Sequence, residues 1–289
     1  MKIIRTTAEL TATISQIKQS GKSIGFVPTM GALHEGHISL ISAARKENDI
    51  VVASIFVNPI QFNNKEDLEK YPRTEDADCQ KLESSGTDIA FIPTVTEMYP
   101  EPVTESYHFG AIEDVMEGPQ RPGHFSGVAV VVKRLFDLTQ PDRAYFGEKD
   151  FQQVAIIRDL LKQIQYPIKL VPCPIVRAED GLALSSRNMR LSKEARIIAP
   201  IIYETLQQAT EMAEYDEVES VKDWVIDTLT NYHLINPQPN QLRFEPEYFE
   251  IVDSITLQPI TSWNDPEEQA IGCIAVWLDG VRLIDMIKF

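Results

Sequence analysis

Between Pro28 and His37 the chain reads Pro-Thr-Met-Gly-Ala-Leu-His-Glu-Gly-His. Two imidazoles stand three residues apart, where an apolar strand pattern (Ile24–Val27) gives way to a helical one marked by Ile38, Ile41 and Ala44. Residues three apart on a helix share a face, so His34 and His37 point the same way. The helix they open offers unpaired N–H groups and the positive end of its dipole, a ready place for phosphate. Gly31 lets the backbone turn where a side chain would be strained. Zinc is the rival chemistry, but two histidines with no third ligand nearby, in a spacing unlike His-Glu-x-x-His, fit it poorly. A purely structural strand-to-helix turn stays open for this segment alone.

Other polar groups fall in the same kind of place, just after apolar runs. Asn58 and Gln61 follow Asp49–Phe56; Gly147-Glu148-Lys149-Asp150 follows Ala144–Phe146; Leu184-Ser185-Ser186-Arg187-Asn188 closes a polar loop after Ile168–Ile175. Lys149 at a helix start suits triphosphate oxygens, although a surface Glu-Lys-Asp cluster explains it equally well. Ser185, Ser186 and Arg187 supply two hydroxyls and a planar fork of donors for a phosphate chain or departing pyrophosphate; a helix cap accounts for serine just as easily. Gln61 and Gln153 are neutral amides able to bind hydroxyl and carboxylate oxygens, but Gln152 adjoins Gln153 and periodicity hardly chooses between them. Arg121-Pro122-Gly123-His124-Phe125 reads first as structural, and His108 and His233 lack supporting neighbours.

These loops need a frame. Strand and helix patterns alternate through the first 175 residues, the signature of a parallel sheet wrapped by helices. Thr6 and Glu9 form a capping box for a helix ending near Gly21. Asp49–Phe56 is a continuous apolar run, as in a strand buried on both faces. A further helix precedes the strand Asp88–Pro93, and Thr94–Gly123, rich in Pro, Gly and acids, reads as irregular. Helices over Val128–Leu138 and Asp150–Ile164 complete an α/β, Rossmann-like domain over 1–175. In such sheets ligands sit at the carboxyl ends of strands near a topological switch point, and the four loops converge on one crevice if the strands are parallel. From 176 to 289 the pattern changes to two long helices, Ser192–Tyr215 and Glu217–Leu234. Strands then return at Tyr248–Val252 and Ile271–Leu278, with Asp279-Gly280 as a hairpin turn, giving a smaller C-terminal α+β domain.

With 289 residues, 43% of them hydrophobic, the chain can bury a sizeable core. A formal net charge of -16 argues against sequence-independent nucleic-acid binding, which needs clustered Lys and Arg. Cys79, Cys173 and Cys273 have no paired spacing, so neither a disulfide framework nor a Cys-rich metal site is indicated, and a reducing cytoplasm fits best. No run of about 18 apolar residues occurs, and nothing marks the chain for secretion or a membrane.

Taken together, these segments resemble the pantoate-beta-alanine ligases of the HxGH nucleotidyltransferase superfamily. The resemblance rests on Val27–His37, Ser54–Phe62, Tyr71-Pro72-Arg73-Thr74, Arg121–Phe125, Phe146–Gln153 and Asp180–Asn188. HxGH alone is shared with class I aminoacyl-tRNA synthetases and other nucleotidyltransferases; the ordered set is far more specific. It weakens over the second domain, where Arg282-Leu283-Ile284-Asp285 fits but Met286 stands where many relatives have Asn.

The resemblance implies ATP-dependent condensation of (R)-pantoate with beta-alanine through a pantoyl adenylate, giving pantothenate, AMP and pyrophosphate. It assigns Met30, Gly31, Ala32, Leu33, His34, Glu35, Gly36 and His37 to the ATP site, His34 and His37 contacting phosphate and His37 acting as proton donor. The positive end of a helix favours the neutral imidazole such a donor needs. Gly147, Glu148, Lys149, Asp150, Val176, Leu184, Ser185, Ser186 and Arg187 complete the nucleotide site, with Lys149 and Arg187 the leading charges. Gln61 would serve pantoate and beta-alanine, Gln153 pantoate, and Asn58 lies beside them. Magnesium (Mg2+) is expected on the ATP phosphates, with no dedicated protein ligands. A homodimer is implied, as is a C-terminal domain that closes over the nucleotide. The rivals are an aminoacyl-tRNA synthetase-like enzyme, a simple nucleotidyltransferase, and an ATP sensor without turnover.

Overall fold

Six apolar stretches of the first part of the chain pair side by side, all parallel, in a computed structural model that describes residues 1–236 and 242–289. They are β1 (Lys2–Ile4), β2 (Ile24–Thr29), β3 (Ile50–Ile55), β4 (Ile89–Phe91), β5 (Arg143–Gly147) and β6 (Lys169–Cys173), in the order β1-β4-β3-β2-β5-β6. The two middle strands carry near-continuous apolar runs because helices cover both faces: Ile24, Phe26, Val27, Val51, Val52 and Ala53 are all fully buried. Strand order reverses between the neighbours β2 and β5. That is the switch point, and the His34–His37 turn follows one of these strands while Gly147 ends the other.

A second, antiparallel sheet is built from β7 (Phe244–Asp253), β8 (Ala270–Leu278) and β9 (Val281–Lys288). Asp279 and Gly280, both at positive φ (54° and 68°), make the tight turn between the last two, as the Asp-Gly pair predicts. Helices Ile201–Met212 and Val218–Ile235 share a core with this sheet, including Leu206, Val221, Val225, Leu229, Ile251 and Ile274.

The chain divides into two compact units. One comprises 1–109, 120–148 and 153–174; the other comprises 110–119, 149–152 and 175–289. The change of pattern at 175 marks one boundary, whereas the second unit also takes in two short earlier segments.

Several elements differ from their sequence expectation for identifiable reasons. The helical pattern Ser192–Tyr215 is two helices, Lys193–Ile198 and Ile201–Met212, because Pro200 has no N–H to continue the first. Lys149 lies in a 3-10 turn, Glu148–Asp150, that leads into the helix Phe151–Ile164. The helix expected from Val128 starts at His124, directly after Gly123 in the left-handed region (φ 78°). β1, three residues long, is too short to show a pattern. Within Thr94–Gly123 only short helical turns occur, such as Val95–Met98 and Glu117–Gln120. Among the described residues no helix is long and apolar enough to cross a membrane.

Candidate active site

The turn after β2 has a constrained backbone. Gly31 and Ala32 are consecutive residues at positive φ, 82° and 50°. The left-handed conformation is disfavoured for alanine, so something must hold it. That role falls to Asp78 on the helix Glu75–Ser84: its Oδ2 accepts the Ala32 N–H at 2.9 Å and its Oδ1 the Leu33 N–H at 2.7 Å, while the Thr74 hydroxyl donates to both oxygens at 3.2 Å. Asp78 is 1% exposed, and a buried carboxylate with several donors is a strong fixture.

His34 is the N-cap of the helix Glu35–Glu47. Its Nδ1 accepts the Gly36 N–H at 3.2 Å, and the Nδ1 of His37 accepts the His34 N–H, also at 3.2 Å. The pair forms a reciprocal capping box in which histidine replaces the usual hydroxyl and carboxylate. A nitrogen that accepts an N–H carries no proton, so in each neutral ring the hydrogen sits on Nε2. The ring centroids are 4.1 Å apart. Both histidines are thus oriented and tautomer-selected by the first turn of the helix.

Asn58 and Gln61, after β3, are buried polar residues, 1% and 8% exposed. The Asn58 Nδ2 donates to Gln61 Oε1 at 3.0 Å and to Gly127 O at 3.2 Å, and its Oδ1 accepts the Tyr99 hydroxyl at 2.9 Å. Burial raises the Tyr99 hydroxyl well above its usual value and keeps it a donor. The Gln61 Nε2 lies 3.4 Å from the Met30 sulfur, a weak acceptor that a better one can displace. Beneath this turn, a Cβ on Gly127 would sit 2.6 Å from Ile60 O and 2.8 Å from Gln61 Cα, so only glycine lets the helix His124–Thr139 approach. His124 supports the same turn, with its Nδ1 2.9 Å from Gln61 O. The structural reading of Arg121–Phe125 therefore holds at His124.

In the second unit, the Gln152 side chain is held by backbone groups. It is 4% exposed, accepts the Glu117 N–H at 3.0 Å, and donates to Ile112 O and Val115 O, both at 2.8 Å. Its amide is committed to backbone. Gln153, the first residue of the 153–174 segment of the first unit, is half-buried. Glu117 is further held by Arg282 at 2.7 and 2.8 Å, and Arg282 also pairs with Glu247.

Val176 and Leu184 face each other across a short hairpin: Leu184 N donates to Val176 O at 3.0 Å, and Arg177 bridges Ala183. Ser185 caps the 3-10 turn Ser186–Arg190, its Oγ accepting the Arg187 N–H at 3.3 Å. The helix-cap reading of Ser185 is thus realised, while Ser186 is buried at 6% exposure. Arg177, which the sequence reading passes over, is the hub of this region. Its Nη1 and Nη2 pair with Asp285 at 2.6 and 2.9 Å, donate to Gly181 O and Met286 O at 3.2 Å each, and its Cζ lies 3.5 Å above the centre of the Tyr203 ring. Burial pushes the Asp285 carboxyl up, against the pull of Arg177, the Met286 amide and Lys149. Residue 286 takes part through its main chain, so methionine there loses none of these bonds.

The model of the pantoate-beta-alanine ligase family matches residues 2–288. The chain belongs to that family. The ligase is 51% identical to a pantothenate synthetase of Bacteroides fragilis over 289 residues, all of this chain and 99% of that one. A Porphyromonas gingivalis pantothenate synthetase is 50% identical with the same coverage. Among solved structures, the pantothenate synthetase of Thermus thermophilus superposes with a TM-score of 0.89 at 42% identity, covering 100% of this chain and 99% of its own. A pantoate-beta-alanine ligase from Francisella tularensis, described as complexed with beta-gamma ATP and beta-alanine, gives 0.81 at 36% identity, covering 100% and 97%.

Proposed function

We infer that this ligase condenses (R)-pantoate with beta-alanine using ATP, giving pantothenate, AMP and pyrophosphate. The observation that carries the reading is the family match over the whole chain, together with the paired histidines fixed at the start of the helix Glu35–Glu47. A carboxylate is a poor acyl donor, so the pantoate carboxylate first attacks the α-phosphorus of ATP and expels pyrophosphate. The amine of beta-alanine then attacks the acyl carbon and AMP departs.

We assign the Met30–His37 turn to the phosphates, with the Nε2–H groups of His34 and His37 as donors and His37 giving its proton as charge gathers on the bridging oxygen. Lys149 and Arg187 offset triphosphate charge, with Gly147, Glu148, Asp150, Val176, Leu184, Ser185 and Ser186 completing the nucleotide-binding set. Gln61, placed by Asn58, orients pantoate and beta-alanine, and Gln153 binds pantoate. Most of the catalysis is positioning and preorganised charge.

Among the described residues there is no group of three or more His, Cys, Asp or Glu suited to hold a metal ion. Magnesium belongs to the proposal as the partner of ATP, whose phosphates would supply its ligands and whose negative charge it would offset. Cytoplasmic residence, a homodimer and a lid-like role for 176–289 belong to the same proposal, and sedimentation equilibrium tests the dimer. Three free thiols suit a reducing compartment.

Incubation with ATP, magnesium and pantoate should release pyrophosphate stoichiometric with enzyme, and turnover should require beta-alanine. Folded protein that binds ATP but gives no pantoate-dependent pyrophosphate would overturn the reading.

A further inference from the structure

We propose that the Arg177–Asp285 pair is the positioning device of the nucleotide loop, setting the place of Val176 and Leu184–Arg187 without touching ATP itself. The inference rests on the nucleotide role assigned above to those residues.

Arg177 follows Val176 directly and sits in the hairpin that delivers the chain to Ser185. One guanidinium ties three elements together. It closes the hairpin on itself at Gly181 O, fastens it to β9 through Asp285 and Met286 O, and lies flat on Tyr203 of the helix Ile201–Met212. Gly181, at φ 91°, brings the turn so close that a Cβ there would meet the same Tyr203 ring at 2.7 Å. Beyond the hairpin, Asn188 Nδ2 donates to Ala183 O at 3.0 Å, so the Ser185–Arg187 turn inherits its place from the strand Arg177 anchors.

Both terminal nitrogens of this guanidinium already donate to Gly181 O, Asp285 and Met286 O, its side chain is 17% exposed and that of Asp285 4%, so the pair is committed to holding the hairpin. The bidentate fork constrains angle as well as distance, which a lysine could not do. This assigns a role to the Arg282–Asp285 segment of β9, whose residues are remote in sequence from every other site motif.

The test uses the full-length enzyme and the variants Arg177→Lys, Asp285→Asn and Tyr203→Leu, with Asp180→Asn as the control. Asp180 forms an exposed ion pair with Arg196 in the same hairpin, at 2.6 Å. The three variants should raise KM for ATP and weaken direct binding of ATP by a factor on the order of ten to a hundred, the scale of a small misplacement transmitted to a site. KM for beta-alanine should stay within about twofold, because uniform binding is lost for one substrate only. Asp180→Asn should match wild type.

General weakening of the fold would instead lower the active fraction and leave KM for ATP unchanged in the folded remainder; that result overturns the proposal. Tyr203→Leu, which leaves the ion pair in place, keeps the test informative if the charge variants fold poorly. Lys149→Ala separates the two readings. If it weakens ATP use and the three variants do not, positioning by Arg177 is refuted while the nucleotide assignment stands. If wild type itself makes no pantoate-dependent pyrophosphate, the function fails first.

Discussion

Asp78 Oδ1 accepts the main-chain N–H of Leu33 at 2.7 Å across a separation of 45 residues, and this bond fixes the turn from which both histidines rise. The carboxylate, not the helix that carries it, is the critical part, because it satisfies two buried amides and stabilises a left-handed alanine. Asp78→Asn turns one acceptor into a donor facing a donor. It should lower stability by about 2–3 kcal/mol, the range for a lost charge-assisted bond, and raise KM for ATP. Denaturant melts and steady-state kinetics check both.

His37→Ala removes the proposed proton donor and the acceptor for the His34 amide. Pantoate-dependent pyrophosphate formation should fall roughly 10²–10⁴-fold, while the cap loss costs only about 1 kcal/mol. Circular dichroism separates the two effects; near-normal turnover would remove His37 from the mechanism.

Lys149→Ala should impair adenylation by roughly 10²–10³-fold, the scale of losing one preorganised charge donor. Single-turnover release of pyrophosphate measures this step. A defect confined to transfer onto beta-alanine would contradict the assignment.

Gly127→Ala should behave as a substrate-site mutation although residue 127 lies on a helix. Its methyl would press on Ile60 O and the Gln61 backbone, costing about 1–3 kcal/mol as an overpacked contact and raising KM for pantoate. An unchanged KM would free Gln61 from that role.

The acid limb of stability should depend on Asp253. Burial works against its charge, but the amides of Thr256, Glu267 and Ile255 and the Thr256 hydroxyl prevail and lower its carboxyl below the usual range. A depressed folded value stabilises the protein above the unfolded value of about 4, and this contribution is lost as pH falls through the lower folded value. Asp253→Asn should therefore reduce stability at neutral pH and flatten its decline below pH ~4, as read by melting temperature against pH.

How much of this is legible in sequence follows from distance along the chain. The parallel sheet, the Asp279-Gly280 turn and the common direction of His34 and His37 all rest on neighbours within a few residues, where periodicity and turn chemistry operate. Asp78 and Arg177 find their partners 45 and 108 residues away, and nothing near either distinguishes it from a surface charge. Gln152 and Gln153 are indistinguishable in sequence because only the packing of 110–119 decides which amide is consumed. That 110–119 joins the second unit has no local signal either, since Glu117 is claimed by Arg282, 165 residues on.

The sheet order also carries a kinetic consequence. β1 is synthesised before the strand it pairs with: Lys2, Ile3 and Ile4 lie beside Ile89, Ala90 and Phe91. A parallel partner roughly 90 residues distant is reached only after a long loop closes, which is slow and entropically costly. β1 must therefore wait, unpaired, while β2, β3 and β4 emerge. Its docking completes the domain's edge and comes late in folding, so a ribosome-bound chain ending before Phe91 would leave its first strand without a partner.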